Sequence, residues 1–393
     1  MPFSVGTNWD DNLIDQLSGY PEVEDLYASL PTAVIGHGRP VHSVPKVTRQ
    51  DAARHIEKIR NSGRTFTFLL NSPSMGGRQF QPGTSDAIRQ LCDWAVEAGV
   101  DAVTVSLPQL LEYVQKHYPG LAVKISHNST VLTVEQAQMF ADLGADQICL
   151  MRSTHRNESL LRQLVSHLTI PLQLICTSGC VHGCVNMVSL YHMSQTASLT
   201  REDRSDSKHG HHGQGYCFSW CHLKKLQVPE EILKAAFIRP EDLAIYEKMG
   251  INQFKLDTRV MSTAAIVARV NAYHRRQFDG DLQQLISVFQ LAYDTRVGTQ
   301  MGTGAADDSV ANAFSRFFAL ASHVDFSKLL SIKNRELHQF VQSILDKACP
   351  AGCGTCQMCR QAARKVQQFD EGERGKMIEI LTEYRESLID LAK

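Results

Sequence analysis

Hydrophobic and polar positions along this chain follow two rhythms that take turns. Short runs rich in β-branched and aromatic residues give way to longer stretches with an apolar position every three or four residues. The strand-like runs are Ser4–Asn8, Val23–Ser29, Thr65–Leu70, Ala102–Leu107, Ala122–His127, Gln147–Met151, Leu172–Cys176 and Gln253–Leu256. Helical patterns follow at 11–17, 48–61, 85–98, 109–117, 134–143 and 158–168, and another at 240–249 precedes the eighth run. Strands that alternate with helices pair in parallel, and eight of them close as a (β/α)8 barrel of the TIM type. Three joints fit this reading: Ala98-Gly99-Val100-Asp101, Leu143-Gly144-Ala145-Asp146 and Lys248-Met249-Gly250-Ile251. Glycine there ends a helix in the left-handed conformation and the next strand begins at once. An open doubly wound sheet is the rival architecture, but no GxGxxG follows the first run.

The barrel is expected over residues 1–275. It includes a cysteine-rich insertion, 177–237, after strand seven. The middle of the insertion, Thr200–Gly215, is polar and rich in Gly and His, and reads as a mobile loop. Residues 276–393 read as a helical C-terminal extension. Apolar periodicity marks Asp281–Leu291 and Ala311–Ala321, and a Gly-rich break falls at Thr299–Asp308. Two helices then flank a cysteine cluster at 349–359.

Composition narrows the class. The chain has 393 residues, enough for a barrel of about 250 residues and an appendage. Its 43% hydrophobic and 21% charged content is ordinary for a globular protein. The amino terminus lacks a signal-peptide pattern, and no apolar run approaches the roughly 18 residues of a membrane span. A cytoplasmic location is therefore expected. A net charge of −1 argues against nucleic acid as a partner. Eleven cysteines in a reducing compartment point to metal rather than disulfides.

The cysteines fall into two groups. Cys180 and Cys184 form one CxxxC pair just after strand seven, and Cys217 and Cys221 form a second. Together they suffice for a four-thiolate zinc or [4Fe–4S] site at the carboxyl end of the strands, where such barrels carry their chemistry. Cys176 also lies at that strand end. The tail group, Cys349, Cys353, Cys356 and Cys359, has a dense CxxxCxxCxxC spacing that suits a cluster or a structural zinc. Each group could hold its own metal, giving one or two clusters, or the tail could fold back to complete one site. Cys92 and Cys149 read as core residues.

Other side chains at the expected active face are candidates for binding and catalysis. Arg259, supported by Arg239, could hold a substrate carboxylate in a guanidinium fork. Asn71 and Asn128 follow strands three and five and could hydrogen-bond a substrate. His127 could exchange a proton near neutral pH. Lys255, on strand eight, either joins it in catalysis or pairs inside the barrel with Asp257 or another acid. No Ser-His-Asp order, HExxH helix or P-loop is present.

Several motifs together resemble the collagenase-like peptidase family U32. They are Ser178-Gly-Cys-Val-His-Gly-Cys184, Phe237-Ile-Arg-Pro-Glu-Asp-Leu243, Tyr246-Glu-Lys-Met-Gly-Ile251 and Phe254-Lys-Leu-Asp-Thr-Arg259. The opening Phe3-Ser-Val-Gly-Thr-Asn8 and the tail Cys353-Gly-Thr-Cys-Gln-Met-Cys359 look like a bacterial branch of that family. The resemblance implies a (β/α)8 barrel with a cysteine-bound [4Fe–4S] cluster. It implies oxygen-independent hydroxylation, with prephenate as the oxygen donor. Cys180, Cys184 and Cys221 are its implied ligands, with Cys217 or Cys176 as the fourth. RNA-acting members carry a long C-terminal extension that this chain lacks, so the substrate is expected to be small or protein-bound. Two other functions stay open: a metal-dependent or cysteine peptidase, and a non-catalytic iron–sulfur subunit of a heterodimer or electron-donor pair.

Overall fold

The computed structural model describes residues 2–31, 33–37, 44–189, 210–286, 288–289, 317, 321, 323–347, 349, 353 and 355–390, with the backbone alone at 210–214. Eight parallel strands close into a barrel: β1 (Phe3–Gly6), β2 (Val23–Ala28), β3 (Thr65–Leu70), β4 (Ala102–Val105), β5 (Ala122–Ile125), β6 (Gln147–Cys149), β7 (Leu172–Ile175) and β8 (Gln253–Leu256). Closure comes from β1, which pairs with both β2 and β8. Helices α1 (Asp11–Gln16), α2 (Arg49–Asn61), α3 (Pro82–Glu97), α4 (Pro108–His117), α5 (Val134–Asp142) and α6 (Glu158–His167) follow the first six strands. The insertion after β7 supplies α7 (Gly210–Gln227), α8 (Glu230–Lys234) and α9 (Leu243–Glu247), and α10 (Thr263–His274) follows β8.

This is the (β/α)8 fold that the hydrophobic pattern predicts, with shorter strands. Six of the eight expected strands run one or two residues too far. The backbone leaves the ladder at their carboxyl ends to build the barrel mouth. His127, for example, opens a short 3-10 turn, His127–Ser129, rather than closing β5. The expected helix at 240–249 splits into a turn, Pro240–Asp242, and α9. The loop expected across 200–215 is helical from Gly210 onward, where α7 begins. Its earlier part, the break at 299–308, and all of 311–321 except Phe317 and Ala321 lie outside the described residues.

Each strand has two faces. Val5, Leu26, Phe66, Phe68, Val103, Val123, Leu174, Phe254 and Leu256 are buried outward beneath the helices. Burial of a side chain of this size contributes roughly 1.5–3 kcal/mol. The alternate positions turn inward and are mostly polar: Ser4, Asp25, Tyr27, Thr67, Thr104, Lys124, Gln173 and Lys255 line the lumen. The glycine joints behave as their sequence requires, with φ of 77° at Gly99, 96° at Gly144 and 95° at Gly250. Two residues after the first two of these glycines, an aspartate pins the preceding strand. Asp101 accepts the N–H of Phe66 at 2.8 Å and Asp146 that of Val123 at 2.7 Å.

The C-terminal region contributes α11 (Phe340–Asp346), α12 (Met358–Val366) and α13 (Glu371–Ile389), with an antiparallel pair β9 (Leu330–Ile332) and β10 (Gln367–Phe369). It clamps the insertion. α13 packs along α7, where Arg374 donates to the carbonyl of Leu226 from Nε at 2.9 Å and Nη2 at 2.6 Å. α12 packs on α8 through an Arg360–Glu230 ion pair of 2.8 Å.

Arg239 belongs to this framework and not to the barrel lumen. Its Nε and Nη2 donate to the two carboxylate oxygens of Asp242, at 2.7 and 2.8 Å, and Nη1 donates to the Asn334 carbonyl at 3.0 Å. The expected supporting role for Arg259 is thus replaced by a buried fork that joins the insertion to the C-terminal region. Arg239→Ala leaves Asp242 buried and unpaired. It should lower stability by about 3–5 kcal/mol, read as a shift in the urea unfolding midpoint; a loss below about 1 kcal/mol, the range of an exposed pair, would contradict this assignment.

Candidate functional site

The lumen is built in two layers. At its floor, Asp25 accepts the hydroxyl of Thr67 at 2.5 Å and faces Lys124 Nζ at 3.4 Å. Lys124 in turn donates to Thr67 Oγ1 at 2.8 Å. Gln173 Nε2 donates to Ser4 Oγ at 3.0 Å. Nearer the mouth, Lys255 Nζ stands 3.8 Å from the centroid of the Tyr27 ring, and Arg259 Cζ stands 5.8 Å from the same ring. The electron-rich ring face attracts both cations. The ring is itself fixed by its hydroxyl, which donates to the Leu256 carbonyl at 2.9 Å. Arg259 also donates to Ser29 Oγ at 3.2 Å. Gly6 permits this placement, because a Cβ there would lie 2.6 Å from Arg259 Cγ and 2.7 Å from its backbone nitrogen.

Lys255 is pushed down to about 8, chiefly by burial; Cys149 and Asp25 oppose the shift, while Arg259 and Lys124 add to it. Burial, followed by the charges of Arg152 and Lys255, holds the partly buried His127 well below its ordinary value. His127 is therefore a neutral hydrogen-bonding group at neutral pH. Asn71 donates from Nδ2 to Ser126 Oγ at 3.1 Å, and its buried Oδ1 has no hydrogen-bond partner. Asn128 turns its amide to the Asn71 carbonyl at 3.0 Å. It braces the mouth and does not line the cavity, whereas Asn71, His127, Lys255 and Arg259 all do.

A second cavity lies beside the first. Cys180, Cys184, Cys217 and Cys221 all line it, with Met151, Arg152, His182 and Met187. Cys180 and Cys184 come from the loop after β7, where Gly183 takes a φ of 61°. Cys217 and Cys221 come from α7, where a spacing of four residues puts both on one face. Arg152 Nη1 donates to Cys180 Sγ at 3.0 Å. Burial raises the thiols of Cys184 and Cys217, and the neighbouring cysteines add to this. Among the described residues no group of three or more His, Cys, Asp or Glu side chains is placed to hold a metal ion. The four thiols ring a cavity instead.

Cys176 is not among them. It is fully buried, its N–H donates to the Lys255 carbonyl at 2.9 Å, and burial lifts its thiol well above the usual range. Cys92 is a core residue, raised to about 12 by burial. Cys149 differs from expectation: it is buried yet lines the lumen. The tail cysteines lie apart from the barrel-mouth cavity, near α8. The sequence reading also missed Arg152, Asp25, Lys124 and Tyr27. The signal for the last three was present, since each alternates with an apolar neighbour along its strand.

The lumen thus offers Lys255 and Arg259 to an anion. Lys255 on β8 faces Asp25 and Tyr27 on β2, Lys124 on β5, Cys149 on β6, and Arg259 just beyond β8. An anion held by Lys255 would meet its charged form, which is lost as pH rises through about 8. Affinity for a dicarboxylate probe, measured by calorimetry, should therefore be level below that pH and decline above it, and Lys255→Gln should flatten the profile. A wild-type affinity that is unchanged up to pH 9.5 would exclude Lys255 from binding. Stability runs the other way. The unfolded chain binds more protons at this group between about 8 and its ordinary value of 10.5, so its contribution rises with pH in that window.

The model described as peptidase family U32 matches residues 47–287. An uncharacterized protease of Methanocaldococcus jannaschii is 23% identical over 262 residues, covering 67% of this chain and 75% of the relative. A U32 peptidase of known structure aligns with a TM-score of 0.44 and 19% identity, over 53% of this chain and 81% of that one. Thiamine phosphate pyrophosphorylase from Pyrococcus furiosus gives a TM-score of 0.31 and 11% identity, over 68% and 96%. The family match spans more than half of the chain and takes in β3 to β8 with the first cysteine group; the chain belongs to peptidase family U32.

Proposed function

We propose that this chain is an iron–sulfur enzyme that carries out an oxygen-independent oxidation or hydroxylation of a small or protein-bound substrate, with prephenate as the oxygen donor. The observation that carries the reading is the ring of Cys180, Cys184, Cys217 and Cys221 around one cavity next to the cationic lumen. These four would hold a [4Fe–4S] cluster. Four sulfurs line this one cavity, and the Arg152 guanidinium already donates to one of them. Positive charge beside the sulfurs suits a group that is net negative with its thiolates. Bound there, the cluster would supply one-electron chemistry or a Lewis-acidic iron.

The rest is the work of the chain's own side chains. Prephenate is a dicarboxylate, and Lys255 with Arg259 offers two cations to it at the mouth. The unpartnered Oδ1 of Asn71 can accept a hydrogen bond from a ligand hydroxyl. Neutral His127 can donate or accept a hydrogen bond there. Arg152 bears on His127 and touches Cys180, so it links the two cavities. Cys180→Ala, purified without oxygen, should lose the visible absorbance of the cluster and the activity together. Full activity in the cluster-free variant would sink the proposal.

The family and the archaeal relative carry peptidase and protease names, which supports hydrolysis as a second reading. Cys149 and His127 share the lumen and are the candidate nucleophile and base. Burial raises the Cys149 thiol, which works against a thiolate nucleophile. Casein or gelatin should stay intact with the purified protein, as judged by gel. Cleavage that disappears in Cys149→Ser would favour the peptidase instead.

A further inference from the structure

The lumen holds two lysines, and the floor engages only one of them. Lys124 Nζ donates to Thr67 Oγ1 at 2.8 Å and faces the Asp25 carboxylate at 3.4 Å. Lys255 has no such anchor. Its backbone is paired with Ser4 on β1 and Ile175 on β7, and its side chain lines the cavity. Among the described residues its Nζ makes no hydrogen bond and no ion pair; it stands 3.8 Å from the centroid of the Tyr27 ring. The ring face attracts the ammonium without the directed oxygen acceptors that fix Lys124. Lys255 is half-buried, so a ligand in the cavity can reach its amine. Burial pushes this amine down to about 8. Part of it is therefore neutral near pH 7, as a nucleophilic lysine requires.

Two more groups belong to the same cavity. Arg259 holds its guanidinium near the same ring, with Cζ 5.8 Å from the centroid. Asn71 is 5% exposed, and its Oδ1 has no hydrogen-bond partner. A cation for a carboxylate, an amine for a carbonyl and an acceptor for a hydroxyl are thus gathered in one place.

We propose that Lys255 forms a Schiff base with the ketone of a 2-oxo acid whose carboxylate is held by Arg259. The ketone and carboxylate of such an acid sit on adjacent carbons, which suits two groups that share one ring. The neutral amine adds to the carbonyl carbon and the C=O π pair moves to oxygen, giving a carbinolamine. Asn71 Oδ1 can accept the hydrogen bond of its hydroxyl. The oxygen then leaves as water with both amine hydrogens, while the nitrogen lone pair completes the C=N bond. No oxidant or reductant is consumed. The Asp257 carboxylate lines the same cavity and can pass the protons. The proposal rests on the lumen as the substrate site, and prephenate, the proposed oxygen donor, carries a 2-oxo acid group. It does not need the cluster.

The test is reductive trapping on the full chain, with pyruvate as the probe and cyanoborohydride as the reductant. Intact mass should show one reduced pyruvyl adduct per chain, and peptide mapping should place it on Lys255. Lactate, which lacks the ketone, should leave the mass unchanged. Lys255→Arg keeps the charge and removes the nucleophile, so it should lose the adduct while its circular dichroism matches wild type. Arg259→Gln should slow trapping by about tenfold or more, the effect of losing a hydrogen bond between charged groups; an unchanged rate would remove Arg259 from the assignment. An unlabelled wild type, or an adduct found on exposed lysines with Lys255 unmodified, overturns the proposal. That map decides the matter even if a variant fails to fold. Trapping at Lys255 in a chain that binds no iron leaves this proposal standing and removes the cluster. A chain that binds iron but is not trapped does the reverse.

Discussion

A barrel that lines its lumen with charge must pair that charge within itself, and the contact of Asp25 with Thr67 and Lys124 does so at the floor. The Thr67 hydroxyl gives its proton to Asp25 and takes one from Lys124, so a single oxygen orients both ions. The alternative, an unpaired lysine in a low-dielectric core, would cost several kcal/mol. With the floor paired, the cations Lys255 and Arg259 share the rest of the cavity with Asp257. The same Tyr27 ring steadies both. The arrangement of charged groups in the lumen thus follows from one pairing on β2, β3 and β5.

The connection from β6 to α6 then sets the geometry outside the lumen. Three successive carbonyls, those of Ala235, Ala236 and Phe237, accept from the Arg152–Arg156 turn: Arg156 serves the outer two and His155 Nδ1 the middle one at 2.9 Å. Burial drops His155 to about 3, so it stays neutral and keeps that proton for the carbonyl. Tyr246 closes the arrangement by donating to the His155 carbonyl at 3.0 Å. A turn held this tightly gives Arg152 a fixed reach to Cys180. It also fixes Arg156 beneath the tail.

The parts of this fold that were legible in the sequence rest on local rules. Strand runs, helix runs and the left-handed glycines at 99, 144 and 250 depend on neighbours a few positions away. Reading the strands only as apolar runs hid their second face, although TFTFLL, LQLI and QFKL alternate visibly. The same period decides two cysteines. Ile175 faces the lumen, so Cys176 after it faces the outer core; Cys149, two positions after Gln147, faces in. Arg239 has a partner that is also local: Asp242, three residues on, takes the guanidinium that would otherwise be open to a substrate. Arg152 and Arg156 were invisible for the opposite reason, since their partners lie 28 and about 80 positions away and only the closed barrel brings them near.

The C-terminal region is then part of the site's construction, although it lines neither cavity. α7 carries Cys217 and Cys221 on one face and packs along α13. At Gly215, two residues before Cys217, the helices approach closely: a Cβ there would meet the Tyr384 hydroxyl. Further along, Lys225 Nζ donates to the Val288 carbonyl at 2.7 Å and Arg374 holds the helix end at Leu226. The loop cysteines depend on the barrel for their position, and the helical pair depends on α13. The four thiols that line the barrel-mouth cavity thus draw on both supports, which makes the tail part of that cavity's construction.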